Sequence, residues 1–208
     1  MQAGKSRRFT IMSAASTLMM LSCLGHSWAA TPLNHPWGLA LDARGNLYVT
    51  HTYTNQVLVY NPNYVQPPGM SITSGLSAPI GVAFDSKGNV YVANPSNGGN
   101  GYITQYSSAG VLNTRFSITD GINQLAITVD ALDDLYVVNA QTITVYPLAD
   151  TINGPYLLTT ISFPYMCSIN SNFCAIAVHA GDLYAGTQGI GGVPGVLGER
   201  FCLRVAGW

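Results

Sequence analysis

Residues 36–51 read PWGLALDARGNLYVTH, and residues 79–94 read PIGVAFDSKGNVYVAN, so the chain carries nearly the same motif twice. Two weaker copies keep the same frame, QLAITVDALDDLYVVN at 124–139 and CAIAVHAGDLYAGT at 174–187. One tyrosine recurs in phase in all of the copies, as Tyr48, Tyr91, Tyr136 and Tyr184. Self-similarity at a nearly constant spacing is the sequence signature of a repeat architecture.

Each copy contains two short apolar runs separated by a turn, such as GLALD and NLYVT in the first copy. Runs of about five residues rich in Val, Ile, Leu and Tyr predict strands rather than helices. Asp42 and Asp85 are placed to accept hydrogen bonds from amides two residues on. Gly45 and Gly88 suit the positive φ of a tight hairpin, and Asp133, which replaces the glycine in the third copy, tolerates it. The recurring aspartates are therefore interpreted as turn residues rather than metal ligands.

A third apolar run follows each of the first three copies, and a weaker fourth run precedes the next copy. The third runs lie at 56–60, 102–106 and 142–146, and the fourth at 70–73, 114–118 and 158–163. Four antiparallel strands in about 45 residues form one blade of a β-propeller. A single blade leaves both apolar faces in water, and stacked blades bury these faces against each other. The predicted fold class is therefore all-β, a propeller with about four recognisable blades at about 36–78, 79–123, 124–173 and 174–208, the last one degenerate.

The first 29 residues have the layout of a secretory signal peptide, with a basic start, an apolar run over about 9–24 and small residues at 27–29. Cleavage is predicted after Ala29, which leaves 30–208 as a secreted or periplasmic domain without a membrane span. Lipid attachment at Cys23 stays open. The formal net charge is −1 and only 8% of residues are charged. Such a chain lacks the basic clusters that bind phosphate backbones, so no nucleic-acid partner is expected.

The motif P-x-G-hydrophobic-A-hydrophobic-D-x-x-G-N-hydrophobic-Y-V-A, followed by Asn55 and a strand that ends in an aromatic residue, resembles the NHL repeat. The first two copies match closely, the third lacks the proline and both glycines, and the fourth keeps only AIAV and GDLYA. The resemblance spans roughly residues 36–187. It implies kinship with six-bladed propellers that include sugar-lactone hydrolases, streptogramin-type lyases, peptide-amidating lyases, sensor ectodomains and RNA-binding scaffolds.

Six blades of about 45 residues need roughly 270 residues, more than this chain has. Three explanations stay open: a genuine four-bladed ring, an incomplete or frameshifted reading of a longer propeller, and an open array that associates with another chain. After Ala185 the sequence becomes Gly-rich and the repeat pattern stops. This loss of pattern favours an incomplete product or a degenerate last blade.

The resemblance places any catalytic or metal site at the mouth of the central channel, where the second strand of each copy ends. The residues at this position are His51, Asn94, Asn139 and Thr187. His51 is the candidate general base, and Asn94 and Asn139 are candidate oxygen ligands for Ca²⁺. The competing interpretation, which we favour, is that they cap strand ends, because Ca²⁺ sites normally include carboxylates. No cofactor is expected, with Ca²⁺ as the alternative.

The insertion NPSNGGNG at 94–101 is the longest connection between a second and a third strand. It predicts a ligand-binding loop with Asn97, Asn100 and Tyr102 as candidate contacts, or else a tolerated insertion. Cys167 and Cys174 are a candidate disulfide for an oxidising compartment. In-phase tyrosines are expected to pack between blades. Out-of-phase tyrosines are the better candidates for exposure: Tyr53, Tyr64, Tyr102, Tyr156 and Tyr165.

These features favour an exported, non-enzymatic scaffold that presents loops to a protein, peptide or glycan outside the cytoplasm. The alternative is a metal-assisted hydrolase or lyase of the sugar-lactonase or streptogramin-lyase type. The metal-binding glutamate near the start of sugar-lactone hydrolases has no counterpart, since the only glutamate is Glu199. No serine lies in a G-x-S-x-G motif. The sequence therefore favours the scaffold.

Overall fold

The computed structural model describes residues 35–95, 101–119, 126–139, 142–148, 155–162, 174–179, 182–187 and 201–204. Every regular element in these ranges is a β-strand. The strands form four separate antiparallel sheets, which we call blades 1 to 4 in chain order. The predicted all-β fold class is confirmed. The predicted signal peptide, Cys167 and Tyr165 lie outside the described residues.

The blades correspond to the four sequence copies, and their strands are bounded as follows. Blade 1 contains β1 (Pro36–Leu41), β2 (Leu47–His51) and β3 (Gln56–Tyr60). Blade 2 contains β4 (Gly81–Phe84), β5 (Val90–Asn94) and β6 (Tyr102–Tyr106). Blade 3 contains β7 (Ala126–Val129), β8 (Asp134–Val138), β9 (Thr142–Pro147) and β10 (Thr159–Ser162). Blade 4 contains β11 (Cys174–His179), β12 (Asp182–Thr187) and β13 (Phe201–Arg204).

The hairpin turns form as the sequence predicts. Asp42 Oδ1 accepts hydrogen bonds from the amides of Arg44 and Asn46 at 2.9 and 2.8 Å. Asp85 and Asp130 do the same for the amides two and four residues on. The turn residue that needs a positive φ has one in each of the first three copies: Gly45 (80°), Gly88 (81°) and Asp133 (62°). The recurring aspartates therefore act as turn residues, as predicted.

The predicted fourth strand is complete only in blade 3, where β10 pairs with β9. In blades 1 and 2 it is reduced to single bridges, Val57 with Ile72 and Ile103 with Ile118. In blade 1 the run preceding Ile72 includes Pro67, Pro68 and Gly69, and proline has no amide hydrogen to donate to a ladder. The position of the fourth run was right, and its extent is shorter than predicted.

The first strand of each blade faces the common axis. β1 lies beside β4, β4 beside β7, and β7 beside β11. Each pair of adjacent blades shares one buried apolar cluster: Val57, Ile72, Val82 and Val92 lie between blades 1 and 2, while Val138, Ile143 and Leu183 lie between blades 3 and 4. Radial sheets that bury their faces against each other confirm the predicted propeller architecture.

The in-phase tyrosines lie in these contacts. Tyr48 packs edge-on against Phe84 of the next blade, with ring centroids 4.7 Å apart. Tyr91 is fully buried in the cluster between blades 2 and 3. Tyr184 departs from the expectation because its ring is 43% exposed. It belongs to blade 4, where β12 pairs with β13, and no blade after blade 4 is described.

A close approach between blades 1 and 2 depends on Gly38. A Cβ at Gly38 would overlap the carbonyl oxygen of Ile80 in the next blade. The Gly38 amide donates to Thr50 Oγ1 at 2.7 Å, and the Thr50 hydroxyl lies 3.2 Å from the Ile80 carbonyl, to which it can donate. This small cluster joins the two blades next to the axis, where only glycine leaves room.

We expect Gly38→Ala to lower the free energy of unfolding by about 1–3 kcal/mol, because the added methyl group meets backbone and cannot be accommodated by a rotamer change. Gly81→Ala is the matched control, since its Cβ would meet Ile127 Cγ1 at 3.1 Å and the Ile127 nitrogen at 3.3 Å. Its effect should be smaller. Urea unfolding measures both, and a Gly38→Ala variant as stable as the wild type would contradict the proposed close approach.

Candidate functional site

The polar residues that end the second strands lie at one end of the blades. His51 and Asn94 are the last residues of β2 and β5, and Asn139 directly follows β8. All three are buried. Thr187 ends β12, but its side chain lies outside the described residues. The structure thus places three of the four predicted positions at the same end of adjacent blades, inside the protein rather than at its surface.

Asn94 is held by hydrogen bonds on both sides of its amide group. Its Oδ1 accepts from the amide of Ser77 at 3.0 Å, in the segment that connects blade 1 to blade 2. Its Nδ2 lies 3.1 Å from both the Val92 carbonyl and Thr104 Oγ1. Asn94 therefore fastens the inter-blade connection to the end of β5. These contacts favour the strand-capping interpretation for this residue.

Asn55 makes a similar contact one blade earlier. Its Oδ1 accepts from the amide of Ala78 at 2.6 Å, and both residues have a positive φ. Thr52 adds a hydrogen bond from its hydroxyl to the Pro79 carbonyl at 3.0 Å. The polar residues at this end of blade 1 therefore hold the chain where it enters blade 2.

His51 has the residue type of a general base, but it is buried at the end of β2. Burial lowers the pKa of the imidazole below its ordinary value of about 6.5. The side chain is therefore neutral at physiological pH, which is the form that can accept a proton. Because His51 is buried, however, this basic form has little access to a substrate in solution.

A Ca²⁺ site at this end does not fit the described residues. The described turn carboxylates of Asp42, Asp85 and Asp130 lie at the opposite end of the second strands. The length of such a five-residue strand, roughly 13 Å at about 3.3 Å per residue, separates them from Asn94. Ca²⁺ needs six to eight oxygen ligands at about 2.4 Å, normally including carboxylates. Within the described ranges no group of three or more His, Cys, Asp or Glu side chains is placed to hold a metal ion.

The predicted ligand-binding loop is described only in part. Asn97 and Asn100 lie outside the described residues, as does one partner of the candidate disulfide, while Cys174 is the first residue of β11. Tyr102 begins β6 and is half-buried. Its hydroxyl donates to the Gly75 carbonyl at 3.3 Å. Tyr102 therefore contributes to holding the connection between blades 1 and 2.

An exposed aromatic pair marks the same end of blade 1. Tyr53, in the connection between β2 and β3, is 69% exposed. Its ring meets the imidazole of His35 edge-on, with centroids 4.0 Å apart. Pairing of Pro36 with His51 brings these two residues together. Tyr53, Tyr64 and Tyr156 are exposed as predicted for out-of-phase tyrosines, whereas Tyr102 departs from the prediction because it is half-buried. The His35 contact was missed, since His35 precedes the repeat and has no in-phase counterpart.

A buried polar network in blade 2 was also missed. Asp85 Oδ2 accepts a hydrogen bond from the Tyr91 hydroxyl at 3.0 Å, and Gln105 Nε2 donates to that hydroxyl at 2.6 Å. Asn113 Nδ2 in turn donates to Gln105 Oε1 at 2.6 Å. Burial raises the pKa of Tyr91 well above its ordinary value. The network connects the turn to the outer strand, so its role is structural.

Acidic residues cluster in the blade 3 turn. Asp133 accepts hydrogen bonds from the amide and the hydroxyl of Ser86 at 2.7 and 2.6 Å, which joins the turns of blades 2 and 3.

The same turn shifts two pKa values. Burial raises the pKa of Asp134, and the neighbouring Asp130 and Asp133 carboxylates raise it further. Burial and Asp130 raise the pKa of Tyr136 to about 12. Asp134 occupies the position of Asn89, whose Nδ2 donates to the turn aspartate of blade 2 at 2.7 Å.

The radial sheets, the axial first strands and the capped turns define a β-propeller built from repeated blades. Residues 33–60, which include the strands of blade 1, match the family model of the NHL repeat. The predicted NHL-like propeller is therefore confirmed. No curated protein sequence matches the chain significantly. The described residues contain no helix with the length and apolar character to cross a membrane.

Several solved structures share the fold. A virginiamycin B lyase from Staphylococcus aureus has a TM-score of 0.55 and 16% identity, over 85% of this chain and 58% of that chain. A gluconolactonase from Xanthomonas campestris has a TM-score of 0.57 and 19% identity, over 79% and 58%. The Myxococcus xanthus glutaminyl cyclase has a TM-score of 0.54 and 12% identity, over 74% and 62%. The chain thus spans less than two thirds of each of these proteins, and the likeness concerns the fold.

We expect the stability of the chain to fall as the pH drops through and below about 6.5, because unfolded His51 takes up a proton more readily than folded His51. His51→Asn introduces the residue that the second and third copies carry at this position. It should reduce this dependence of stability on pH. Denaturant midpoints measured between about pH 8 and pH 5 test the expectation. At about pH 8 His51 is neutral in both the folded and the unfolded state, so the midpoints of the wild type and the variant should change with pH at the same rate there. If the midpoints of the wild type and the variant fell equally steeply below about pH 6.5, the expectation for His51 would be contradicted.

Asp134→Asn should stabilise the chain by about 0.5–1.5 kcal/mol at neutral pH, because it restores an amide donor to Asp130 and removes a carboxylate with a raised pKa. A raised pKa means that ionisation costs stability in the folded state, and this cost disappears as the group protonates at lower pH. The gain should therefore shrink at acidic pH. Asn89→Asp is the reciprocal control and should destabilise blade 2. If Asp134→Asn left the stability unchanged or lowered it, the expectation would be contradicted.

Proposed function

We propose that the chain is a non-enzymatic binding scaffold that acts outside the cytoplasm, with a protein, peptide or glycan as its partner. One observation carries the proposal: Asn94, the best-defined residue of the candidate catalytic ring, is buried and bonded to the inter-blade connection. Side chains engaged in this way serve the fold. The chemistry available to a partner then lies on exposed residues at the same end.

The proposed contact surface is the end of the blades that carries the connections between second and third strands. Tyr53 and His35 present an aromatic pair there, with Tyr53 exposed. The insertion at 94–101 belongs to the same type of connection in the adjacent blade. Aromatic side chains contribute large contact areas at low entropic cost and are enriched where binding energy concentrates. Loops on a rigid scaffold are common binding sites.

Export supports a partner outside the cytoplasm and rests on the layout of residues 1–29. The partner class follows from the surface, since a low charge content disfavours phosphate-rich ligands. Tyrosine and histidine rings suit peptide side chains and the apolar faces of sugars. We therefore propose extracytoplasmic peptides and glycans as the ligands to screen first.

The rival function is a metal-assisted hydrolase or lyase, and a virginiamycin B lyase and a gluconolactonase share the fold. Both proteins are less than 20% identical to this chain in sequence, so the similarity concerns the fold alone. In the described residues the carboxylates and the candidate amide ligand lie at opposite ends of the strands. This separation supports the scaffold over the metal enzyme.

The proposed contact surface predicts a pair of contrasting variants. Binding to immobilised peptide and glycan libraries should be lost or weakened at least about tenfold by Tyr53→Ala, since an aromatic hot-spot residue contributes about 2 kcal/mol or more. Tyr64→Ala is the matched control. Tyr64 is 59% exposed, but it lies in the connection after β3, at the opposite end of the blade, and its variant should bind like the wild type. Equal effects of both substitutions would argue against this surface.

Thermal melts with added Ca²⁺, Mg²⁺, Mn²⁺ or Zn²⁺ separate the scaffold from its rival. A ligand that binds only the folded state raises Tm with its concentration. Under the scaffold proposal none of the four ions shifts Tm. A saturable rise with one ion would overturn the proposal in favour of the metal-assisted enzyme.

A further inference from the structure

Each blade has two apolar faces that can be told apart by chain order. We call the face toward the preceding blade the leading face and the face toward the following blade the trailing face. In the contact between blades 1 and 2, Tyr48 and Val57 belong to the trailing face of blade 1. Val82 and Phe84, on β4, belong to the leading face of blade 2. The contact therefore joins two different surfaces.

The same contact is repeated along the chain. Ile127 and Val129 of β7 occupy the positions of Val82 and Phe84, and they pack into the cluster between blades 2 and 3. In blade 4 these positions are taken by Ile176 and Val178, which pack against blade 3. Three blades thus bury or half-bury these positions of their first strand. In each case the covering surface is the trailing face of another blade.

Blade 1 is the exception. Leu39 and Leu41 of β1 occupy the same two positions and are 69% and 65% exposed. Farther out on this face, Val49 and Leu58 are buried. The exposed part is therefore a strip along β1. Two leucines on one edge strand, both exposed at positions that the other three blades bury or half-bury, form an apolar surface that another blade is suited to cover.

The trailing face of blade 4 is the complementary exception. Ala177 is exposed and Tyr184 is 43% exposed. Their counterparts in blade 2, Ala83 and Tyr91, are both buried in the cluster shared with blade 3. Among the described strands, β11 and β1 have no contact comparable to those between the other neighbouring first strands. Blade 4 of the same chain therefore does not cover the strip on β1.

We propose that the β1 strip binds the trailing face of blade 4 of a second copy of this chain, head to tail. The internal contacts supply the geometry, because Tyr48 packs edge-on against Phe84 at 4.7 Å. By equivalence of position, Tyr184 of one copy packs against Leu41 of the other. The occupant is a second copy because the chain itself carries the complementary surface. The contact is heterologous, so it extends to further copies unless a ring closes.

The test combines three variants of the full chain in sedimentation velocity over a wide dilution series. The leading variant is Leu39→Asp/Leu41→Asp, and the trailing variant is Ala177→Asp/Tyr184→Asp. The wild type should associate, and each variant alone should associate roughly a hundredfold more weakly or not at all. Leu132→Asp, which changes an exposed leucine in the blade 3 turn, is the control and should associate like the wild type.

Mixing distinguishes a head-to-tail contact from any symmetric one. The leading variant retains an intact trailing face and the trailing variant an intact leading face, so their mixture should form a one-to-one complex that grows no further. If the leading variant dissociates the assembly while the trailing variant has no effect, the contact is symmetric and the proposal is wrong. A wild type that stays monomeric throughout also overturns it.

Cross-linking provides a second readout that does not depend on aspartate at the interface. A Leu41→Cys chain mixed with a Tyr184→Cys chain should form a disulfide-linked heterodimer under mild oxidation, with Cys202→Ser in all chains because Cys202 is paired with position 184. Leu132→Cys mixed with Tyr184→Cys is the control and should not do so. A heterodimer yield no higher than that of the control would contradict the proposed juxtaposition.

Discussion

The burial of two apolar faces per blade is the constraint on which this structure depends. A three- or four-stranded sheet of this composition cannot stand alone in water, because both faces carry valine, isoleucine and tyrosine. Each blade therefore needs a neighbour on each side. Gly38 shows how close that neighbour must come, since any side chain there would overlap the backbone of the next blade. The edge-on contact of Tyr48 with Phe84 shows how the faces interlock.

The same constraint determines what the polar residues do. Packed blades bury the ends of their strands as well, and polar groups there need hydrogen bonds inside the protein. Asp85 satisfies the amides of its turn at one end, and Asn94 satisfies the inter-blade connection at the other. A ring of polar residues around an axis thus arises from the repeat itself. The regular spacing of this ring is therefore no evidence of catalysis, and exposed residues without in-phase counterparts, such as Tyr53, are the better candidates for binding.

In-phase residues were predictable from the sequence because each copy confirms the others. The third strands of blades 1 and 2 lie at the predicted positions, and Asp133 adopts the positive φ that its glycine counterparts indicated. Contacts made by side chains that differ between the copies were not predictable. Gln105 pairs with Tyr91 as Val59 pairs with Tyr48, but only the glutamine can donate a hydrogen bond to the tyrosine hydroxyl. His35, which meets Tyr53 edge-on, precedes the repeat and has no counterpart in another copy. The exposure of Leu39 was not predictable either, because its counterparts Val82 and Ile127 are buried and Ile176 is half-buried.

An open array of repeats has one more blade than it has internal contacts, so it ends in one leading and one trailing face. These two faces are complementary, because every internal contact in the chain joins the same pair of surfaces. Ring closure, self-association and binding of a foreign blade therefore compete for one contact. A partner that covers the strip on β1 must place an aromatic ring against Leu41 and small residues against the rest of β1. This requirement restricts the partner to a surface that mimics an NHL blade, and blade 4 of another copy already meets it.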